Sequence, residues 1–317
     1  MRANEHRIYR RGENNDGGAA RAFDGDFPHI AFKPKFRVPA SSKMMVIGGS
    51  FARNLAVALS RKKMKPVSAE CRIPGEFYRR STLEPSNAGL SVTSPAAILD
   101  LISLGGRSDR TKAGAIQVGS GNAWSDLMMS GLRHLSAGEM TIARKRLIGT
   151  YDRLAECSVC FVTFGTTEAW FDCQDRLFLT KPAALEDATL TQQGRYRFVN
   201  LAPDEVMEIL EGVVAELRAR MLPDAKIILA VEPSPSAGTY TAEDCIVAER
   251  YSKAALLSAA RSVAATRADV EYFPSLEIND LGRRESVWMP DGITMQRSHQ
   301  NWLLGRMLDD LIAKAAE

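Results

Sequence analysis

Short apolar runs alternate with longer stretches of helical periodicity over most of the chain. Short buried strands separated by long helices are typical of a mainly parallel sheet that is covered by helices on both faces. The pattern therefore predicts an α/β three-layer sandwich. The predicted strands are "MMVIG" (44–48), "CSVCFVTFG" (157–165), "KIILAVEPSP" (226–235) and "VEYFPS" (270–275). The predicted helices span about 51–62, 203–220, 243–266 and 297–315.

The first 40 residues differ from the rest of the chain. They are rich in Gly, Asn, Asp and Arg, and they lack apolar periodicity. We predict that residues 1–40 form a flexible or draped N-terminal arm, whose aromatic stretch "FPHIAFKPKFRVP" can lie against the body. No change of composition divides residues 41–317, which are predicted to form a single domain.

Composition and charge narrow the class of protein. The chain is 45% hydrophobic and 25% charged, as in ordinary globular proteins. A net charge of +3 is too small to indicate a nucleic-acid partner. No run approaches the roughly 18 apolar residues that span a bilayer. The N-terminus lacks the apolar core of a secretory signal, and five cysteines are an odd number, so a cytoplasmic location with reduced thiols is expected.

Cys157 and Cys160 are close enough in sequence to raise the possibility of a redox or zinc site. No second cysteine pair and no histidine cluster completes a metal site, and both residues lead into an apolar strand. They are interpreted as core residues, and no metal or cofactor is predicted.

The carboxyl ends of the strands are the expected place for a functional site, because ligands of such folds bind in the crevice there. Ser50 follows Gly48 and Gly49 at the junction of the first strand and helix. A serine there can simply cap the helix. It can also be a nucleophile whose oxyanion is stabilised by the N–H groups and the positive end of the helix.

Six blocks of the chain stand out in order: "MMVIGGSFARNLAVAL" (44–59), "FGTTEAWFD" (164–172), "RYRFVNLAPDEV" (195–206), "VEPSPSAGTY" (231–240), "YSKAALLSAARSV" (251–263) and "EYFPSLEI" (271–278). With these blocks, roughly residues 34–310 resemble the GSCFA domain family. The family is similar to the SGNH-type hydrolases, and the resemblance implies a flavodoxin-like sandwich and an esterase, lipase or glycan O-acyltransferase activity.

The resemblance also implies roles for individual positions. Ser50 takes the place of the nucleophile, where many members of the family carry cysteine. Thr167 replaces an asparagine that would donate to the oxyanion. The positions implied for oxyanion stabilisation and substrate binding are Gly49, Gly89, Gly165, Thr167 and Glu168.

The expected Asp-x-x-His sequence near the C-terminus is incomplete. Asp291 is present, but Thr294 occupies the histidine position, and a threonine hydroxyl cannot act as a base near neutral pH. His299 lies five residues further on. An extended 294–299 segment would let His299 reach Ser50 and complete a Ser50, Asp291 and His299 set, whereas a helical one would rotate it by about 140°. A carboxylate such as Asp291 or Glu168 would serve as base only with a strongly raised pKa.

Two functions remain open. The first is an SGNH-like serine esterase or O-acyltransferase that acts on small-molecule, glycan or lipid acyl esters through Ser50. The alternative is a catalytically inactive protein of the same fold that binds an anion or carbonyl ligand at the Gly48–Ser50 turn. A role as an assembly partner would rest on the N-terminal arm alone.

Overall fold

A computed structural model gives the structure of residues 18, 27–64, 66–79, 87–105, 112–190 and 192–313. Most of the predicted arm, residues 1–17 and 19–26, lies outside the described residues. Strands and helices are numbered in chain order. The strands are β1 (Met44–Ile47), β2 (Ala115–Val118), β3 (Ala123–Asp126), β4 (Leu135–Ser136), β5 (Val159–Phe164), β6 (Glu168–Asp172), β7 (Leu177–Leu179), β8 (Tyr196–Asn200), β9 (Lys226–Val231) and β10 (Val270–Phe273). The α-helices are α1 (Ser50–Arg61), α2 (Val67–Glu70), α3 (Pro95–Leu104), α4 (Ala137–Asp152), α5 (Asp187–Leu190), α6 (Pro203–Arg220), α7 (Cys245–Ala265), α8 (Ser275–Asp280), α9 (Arg284–Val287) and α10 (Arg297–Leu311).

The central sheet has the order β1-β5-β9-β10, and each neighbouring pair of these strands is parallel. Met44 also forms a parallel bridge with Pro66 on the free side of β1. The chain thus runs first to one side of β1 and then to the other, which is the order that creates a switch point between β1 and β5 in flavodoxin-like sheets. The predicted parallel sheet is confirmed.

Helices cover both faces of this sheet. Along β1, Met45 and Ile47 point into a core shared with α3, α6 and α7, whereas Met44 and Val46 point into a core shared with α1 and α10. Alternation of this kind follows from the two-residue period of a strand. Because both faces are buried, the central strands consist mainly of apolar residues, and the predicted three-layer sandwich is confirmed.

Helix α1 is held on the sheet by a regular apolar stripe. Phe51, Leu55 and Leu59 recur at four-residue spacing and are at most 1% exposed. Residues four apart lie on one face of a helix, and burying each of these side chains stabilises the fold by about 1.5–3 kcal/mol. The stripe therefore determines which way the first turn of α1 faces.

Two small antiparallel sheets, which the sequence analysis does not predict, flank the central one. Their orders are β2-β3-β4 and β7-β6-β8. Their strands have two to five residues and are buried only in part. Such short segments are stabilised mainly by their neighbours in the sheet, so their own sequence carries little strand signal.

The described end of the N-terminal arm packs against the domain. Phe32 meets Phe273 edge to face with ring centroids 5.5 Å apart, and Val38 forms a parallel bridge with Ile312. Lys35 Nζ donates to the carbonyl oxygens of Arg267 (3.1 Å) and Val270 (2.8 Å). This part of the chain packs on the body, and the division into an arm of residues 1–40 and a single domain of residues 41–317 stays a prediction.

Within the part of the chain that the structure describes, no helix combines the length and the apolarity needed to cross a bilayer.

The β1–α1 turn gives a first prediction. Gly48 has a φ of 147°, and a Cβ there would lie 2.0 Å from Thr163 Oγ1. Strain and overpacking should make Gly48→Ala less stable by about 2–5 kcal/mol in guanidinium unfolding. The control Gly305→Ala, in α10 with open space around it, should be neutral or stabilising by up to about 1 kcal/mol. A Gly48→Ala protein with the unfolding midpoint of the native chain would contradict this account of the turn.

Candidate active site

Ser50 lies at the point where β1 ends and α1 begins. Gly48 and Gly49 form the tight connection, and Ser50 is the first residue of the helix with its side chain exposed. The close approach of Gly48 to Thr163 brings this turn against β5. The serine hydroxyl therefore stands at the carboxyl edge of the sheet, above the switch point.

The carboxylate of Glu232 caps the N-terminus of α1. Its Oε1 accepts the Phe51 N–H at 2.7 Å and the Ser50 hydroxyl at 3.3 Å. Glu232 directly follows β9, and its own N–H donates to the Phe164 carbonyl at 2.7 Å. The residue is 4% exposed, so its negative charge depends on these donors and on the positive end of the helix.

A glycine at position 49 is needed for this contact. A Cβ built at Gly49 would lie 2.3 Å from Glu232 Oε2 and 2.8 Å from Thr93 Cγ2. The backbone of the turn can therefore approach the carboxylate only without a side chain. The Gly-Gly pair before Ser50 thus has two separate causes, the contact of Gly48 with β5 and the contact of Gly49 with Glu232.

A small polar cleft of about 250 Å³ opens above Ser50. Glu232 and Arg53 are its two charged lining residues, and the Arg53 guanidinium donates to Ser91 Oγ at 2.5 Å. Hydroxyl groups make up much of the remaining wall. The lining residues are Gly49, Ser50, Arg53, Ser91, Thr93, Gly165, Glu232, Ser234, Pro235 and Ser236.

The Lys253 side chain connects two walls of the cleft. Its Nζ donates to the carbonyl oxygens of Gly165 (2.8 Å) and Ser234 (3.1 Å), and it lies 3.2 Å from Glu249. The Gly165 N–H donates to the Thr93 carbonyl at 2.8 Å. The exits of β5 and β9 are therefore held together by the Lys253 side chain, and Gly165 lines the cleft while its N–H is already bonded.

The sequence profile of the GSCFA family matches residues 43–304, a range that contains the sheet, the cleft and most of α10. The chain belongs to the GSCFA family. The searches of curated proteins and of solved structures each found no match.

Three positions that the family resemblance implies for substrate or oxyanion binding lie away from the Ser50 cleft in this GSCFA protein. The Gly89 N–H donates to the Tyr78 hydroxyl at 3.0 Å. Thr167 is buried and its Oγ1 contacts Asn200 Oδ1 at 2.7 Å. The third, Glu168, accepts hydrogen bonds from Thr239 Oγ1 (2.5 Å) and the Tyr240 N–H (2.8 Å). Of the implied oxyanion and substrate positions, the structure brings only Gly49 and Gly165 to Ser50.

Asp291 and Thr294 close a local turn. The Asp291 carboxylate accepts the N–H groups of Ile293 (3.0 Å) and Thr294 (2.8 Å) and the Thr294 hydroxyl (2.6 Å). These bonds, led by the one from the Thr294 hydroxyl, hold the pKa of Asp291 below its usual range. Such a carboxylate is a poor base, and its contacts explain its presence as turn chemistry.

The Ser50–His299 pair considered in the sequence analysis is not formed. His299 is fully buried in α10, with its ring 5.6 Å from the rings of Phe27 and Trp302. Its two nitrogens have no hydrogen-bond partner among the described residues, and burial lowers the pKa of His299 to about 4. The cause is that α10 begins at Arg297, so the residue follows the helix instead of an extended loop.

A sequence signal for the burial of His299 was available. His299, Leu303 and Met307 recur at four-residue spacing, and all three face the core. For Glu232 the signal was weaker, an acidic residue directly after an apolar strand. The sequence places this residue only within the block 231–240, and nothing local links it to Ser50.

Cys157 and Cys160 are buried at the start of β5, and both thiols are free. Burial raises the pKa of Cys157 to about 11 and raises that of Cys160 as well. Neutral, buried thiols are poor nucleophiles and poor metal ligands, so these two residues are part of the core.

The buried histidine gives a pH prediction. A histidine with a pKa near 6.5 when unfolded and about 4 when folded stabilises the native state fully above pH 6.5. That contribution is lost as the pH falls from 6.5 towards 4, because only the unfolded chain then binds the proton. Between pH 7.5 and pH 5 the native chain should lose about 2 kcal/mol more unfolding free energy than His299→Leu does. Guanidinium unfolding at both pH values measures this difference. If the two proteins lose the same unfolding free energy, His299 is not a buried, neutral ring in the native state.

Proposed function

We propose that this GSCFA protein is a serine ester hydrolase or O-acyltransferase in which Ser50 is the nucleophile and Glu232 accepts its proton. One observation carries the proposal. The Ser50 hydroxyl stands in an open cleft at the N-terminus of α1, 3.3 Å from a buried carboxylate oxygen of Glu232. A nucleophile within hydrogen-bond distance of a proton acceptor is the arrangement that covalent acyl transfer requires.

The reaction follows from this contact. As Ser50 Oγ bonds to the ester carbonyl carbon, its proton moves to Glu232 and the carbonyl oxygen becomes an oxyanion. The intermediate collapses by breaking the bond to the alcohol oxygen, which takes the proton from Glu232, and acyl-Ser50 remains. Water, or the hydroxyl of an acceptor, then gives its proton to Glu232 and attacks the acyl group. Collapse releases the acid or the new ester and returns the proton to Ser50.

The positive end of α1 faces the negative charge both before and after the proton transfer. In the resting site the negative charge is on Glu232, next to the positive end of α1. When Glu232 takes the proton, the charge passes to the oxyanion on the adjacent carbonyl, still at the same helix end. The Arg53 guanidinium in the cleft wall adds a second positive charge. Groups of this kind, already oriented before the reaction, are the usual source of oxyanion stabilisation.

The cleft wall also favours a hydroxyl-rich alcohol on the leaving side. Ser91, Thr93, Ser234 and Ser236 can both donate and accept hydrogen bonds. Together with the charges of Arg53 and Glu232, such a wall suits the several hydroxyls of a glycan. A sugar ester is therefore the substrate that we propose for this part of the site.

A second function rests on a different observation. No imidazole lines the described cleft, and the Glu232 carboxylate already uses the Phe51 N–H. A site in which Glu232 only caps the helix would bind a polar ligand without cleaving it. The two functions differ in whether Ser50 is reactive.

Labelling with a fluorophosphonate probe tests the proposal. The native chain should label, and Ser50→Ala should not. Glu232→Gln keeps an acceptor for the Phe51 N–H but removes the base, so labelling should slow at least about 100-fold, as for other general bases. Glu168→Gln, which alters a carboxylate outside the cleft, should label at the native rate.

His299→Leu should also label at the native rate, because His299 is buried away from the cleft. If the native chain is folded and does not label, the serine hydrolase function is wrong and the ligand-binding function is favoured. Slow labelling of His299→Leu together with fast labelling of Glu232→Gln would instead assign the base to the histidine.

A further inference from the structure

A second, larger cavity of about 370 Å³ adjoins the Ser50 cleft. The two spaces share Pro235 and Ser236 as a common wall. Ligand sites are generally about 300–1,000 Å³. The cleft above Ser50 is below this range by itself, so a substrate that reacts at Ser50 would extend into the neighbouring cavity.

Apolar side chains shape this second cavity. Pro233, Leu276 and Trp288 line it, and Ile246 and Ile293 do so from opposite elements. Ile246 is 73% exposed and Ile293 is 40% exposed. Isolated exposed aliphatic residues are ordinary, but two of them lining the same cavity form a surface that a ligand can cover.

The charged groups of the cavity do not oppose an apolar ligand. Lys253 is paired with Glu249 at 3.2 Å, and Arg250 is paired with Asp280 at 2.8 Å. Arg284 is exposed. The paired charges neutralise each other in the wall, and the Arg284 side chain can extend into solvent while its stem covers apolar surface.

The loop in which Thr294 occupies the expected histidine position is part of the cavity wall. Gly292 and Ile293 line the cavity, while Asp291 and Thr294 close the turn that presents them. The segment between α9 and α10 thus contributes to the shape of a pocket and supplies no proton acceptor to Ser50.

We propose that this cavity binds the acyl chain of the ester attacked by Ser50, and that the substrates are esters of medium-length aliphatic acids. The inference rests on the proposed function. An ester carbonyl at Ser50 would direct its alcohol towards the hydroxyl-lined cleft and its acyl chain past Pro235 and Ser236 between Ile246 and Ile293. Acetyl esters would leave this apolar surface exposed to water.

Hydrolysis of p-nitrophenyl octanoate and p-nitrophenyl acetate tests the acyl preference. The native chain should have a higher kcat/KM for octanoate, and the octanoate-to-acetate ratio should fall at least about tenfold in Ile246→Asp, because a charge then lines the chain's path. Ile246 is in the first turn of α7, where an aspartate is compatible with the helix dipole, so the variant should fold. Leu190→Asp, which alters an equally exposed aliphatic residue outside the cavity, should keep the native ratio.

The outcomes separate the two proposals. If the native chain labels with the fluorophosphonate and cleaves esters but prefers acetate, the acyl pocket is wrong and the hydrolase function stands. The same conclusion follows if Ile246→Asp leaves the octanoate-to-acetate ratio of kcat/KM unchanged. Absence of both labelling and cleavage would overturn the hydrolase.

If the protein neither labels nor cleaves esters, a binding measurement still tests whether the cavity binds an acyl chain. A brominated medium-chain fatty acid should quench the fluorescence of Trp288 in the native chain and in Ser50→Ala. The quenching should be lost in Trp288→Phe and weakened in Ile246→Asp. Quenching that is absent, or that persists in Trp288→Phe, would overturn the pocket.

Discussion

The contact between the Glu232 carboxylate and the first turn of α1 is the constraint on which the rest of the site depends. A carboxylate that is 4% exposed has to be compensated, and here the Phe51 N–H, the Ser50 hydroxyl and the helix dipole do so. The contact explains why position 49 has no side chain and why the Ser50 hydroxyl faces the cleft. It links the exits of β1 and β9, with β5 between them.

The fold places other residues around this contact and so forms the cleft. The carboxyl ends of β1, β5 and β9 meet at one edge, and Lys253 fastens two of them through the carbonyls of Gly165 and Ser234. The walls of the cleft are therefore held by the sheet and by α7. The loop before α10 contributes differently, since Gly292 and Ile293 shape the apolar cavity beside the cleft.

Much of the fold could be predicted because its signals are local. The central strands consist mainly of apolar residues, and α1, α6, α7 and α10 are long periodic helices, so these elements were predicted from the sequence, whereas α3 and α4 were not. The strands β2–β4 and β6–β8 were not, because they are short and are stabilised by neighbouring strands. His299 belongs to the regular stripe of α10 with Leu303 and Met307, a pattern that favours core packing over catalysis.

The sequence by itself determined the layered α/β fold and the place of Ser50, because strand, glycine turn and helix are consecutive in the chain. Only the tertiary structure decided which acidic group faces the serine. Glu232 and Phe51 are 181 positions apart, and no periodicity or spacing connects them. Parallel strands bring such distant residues to one edge, and the packing of α10 removes His299 from that edge, because burial is set by all the surrounding elements together.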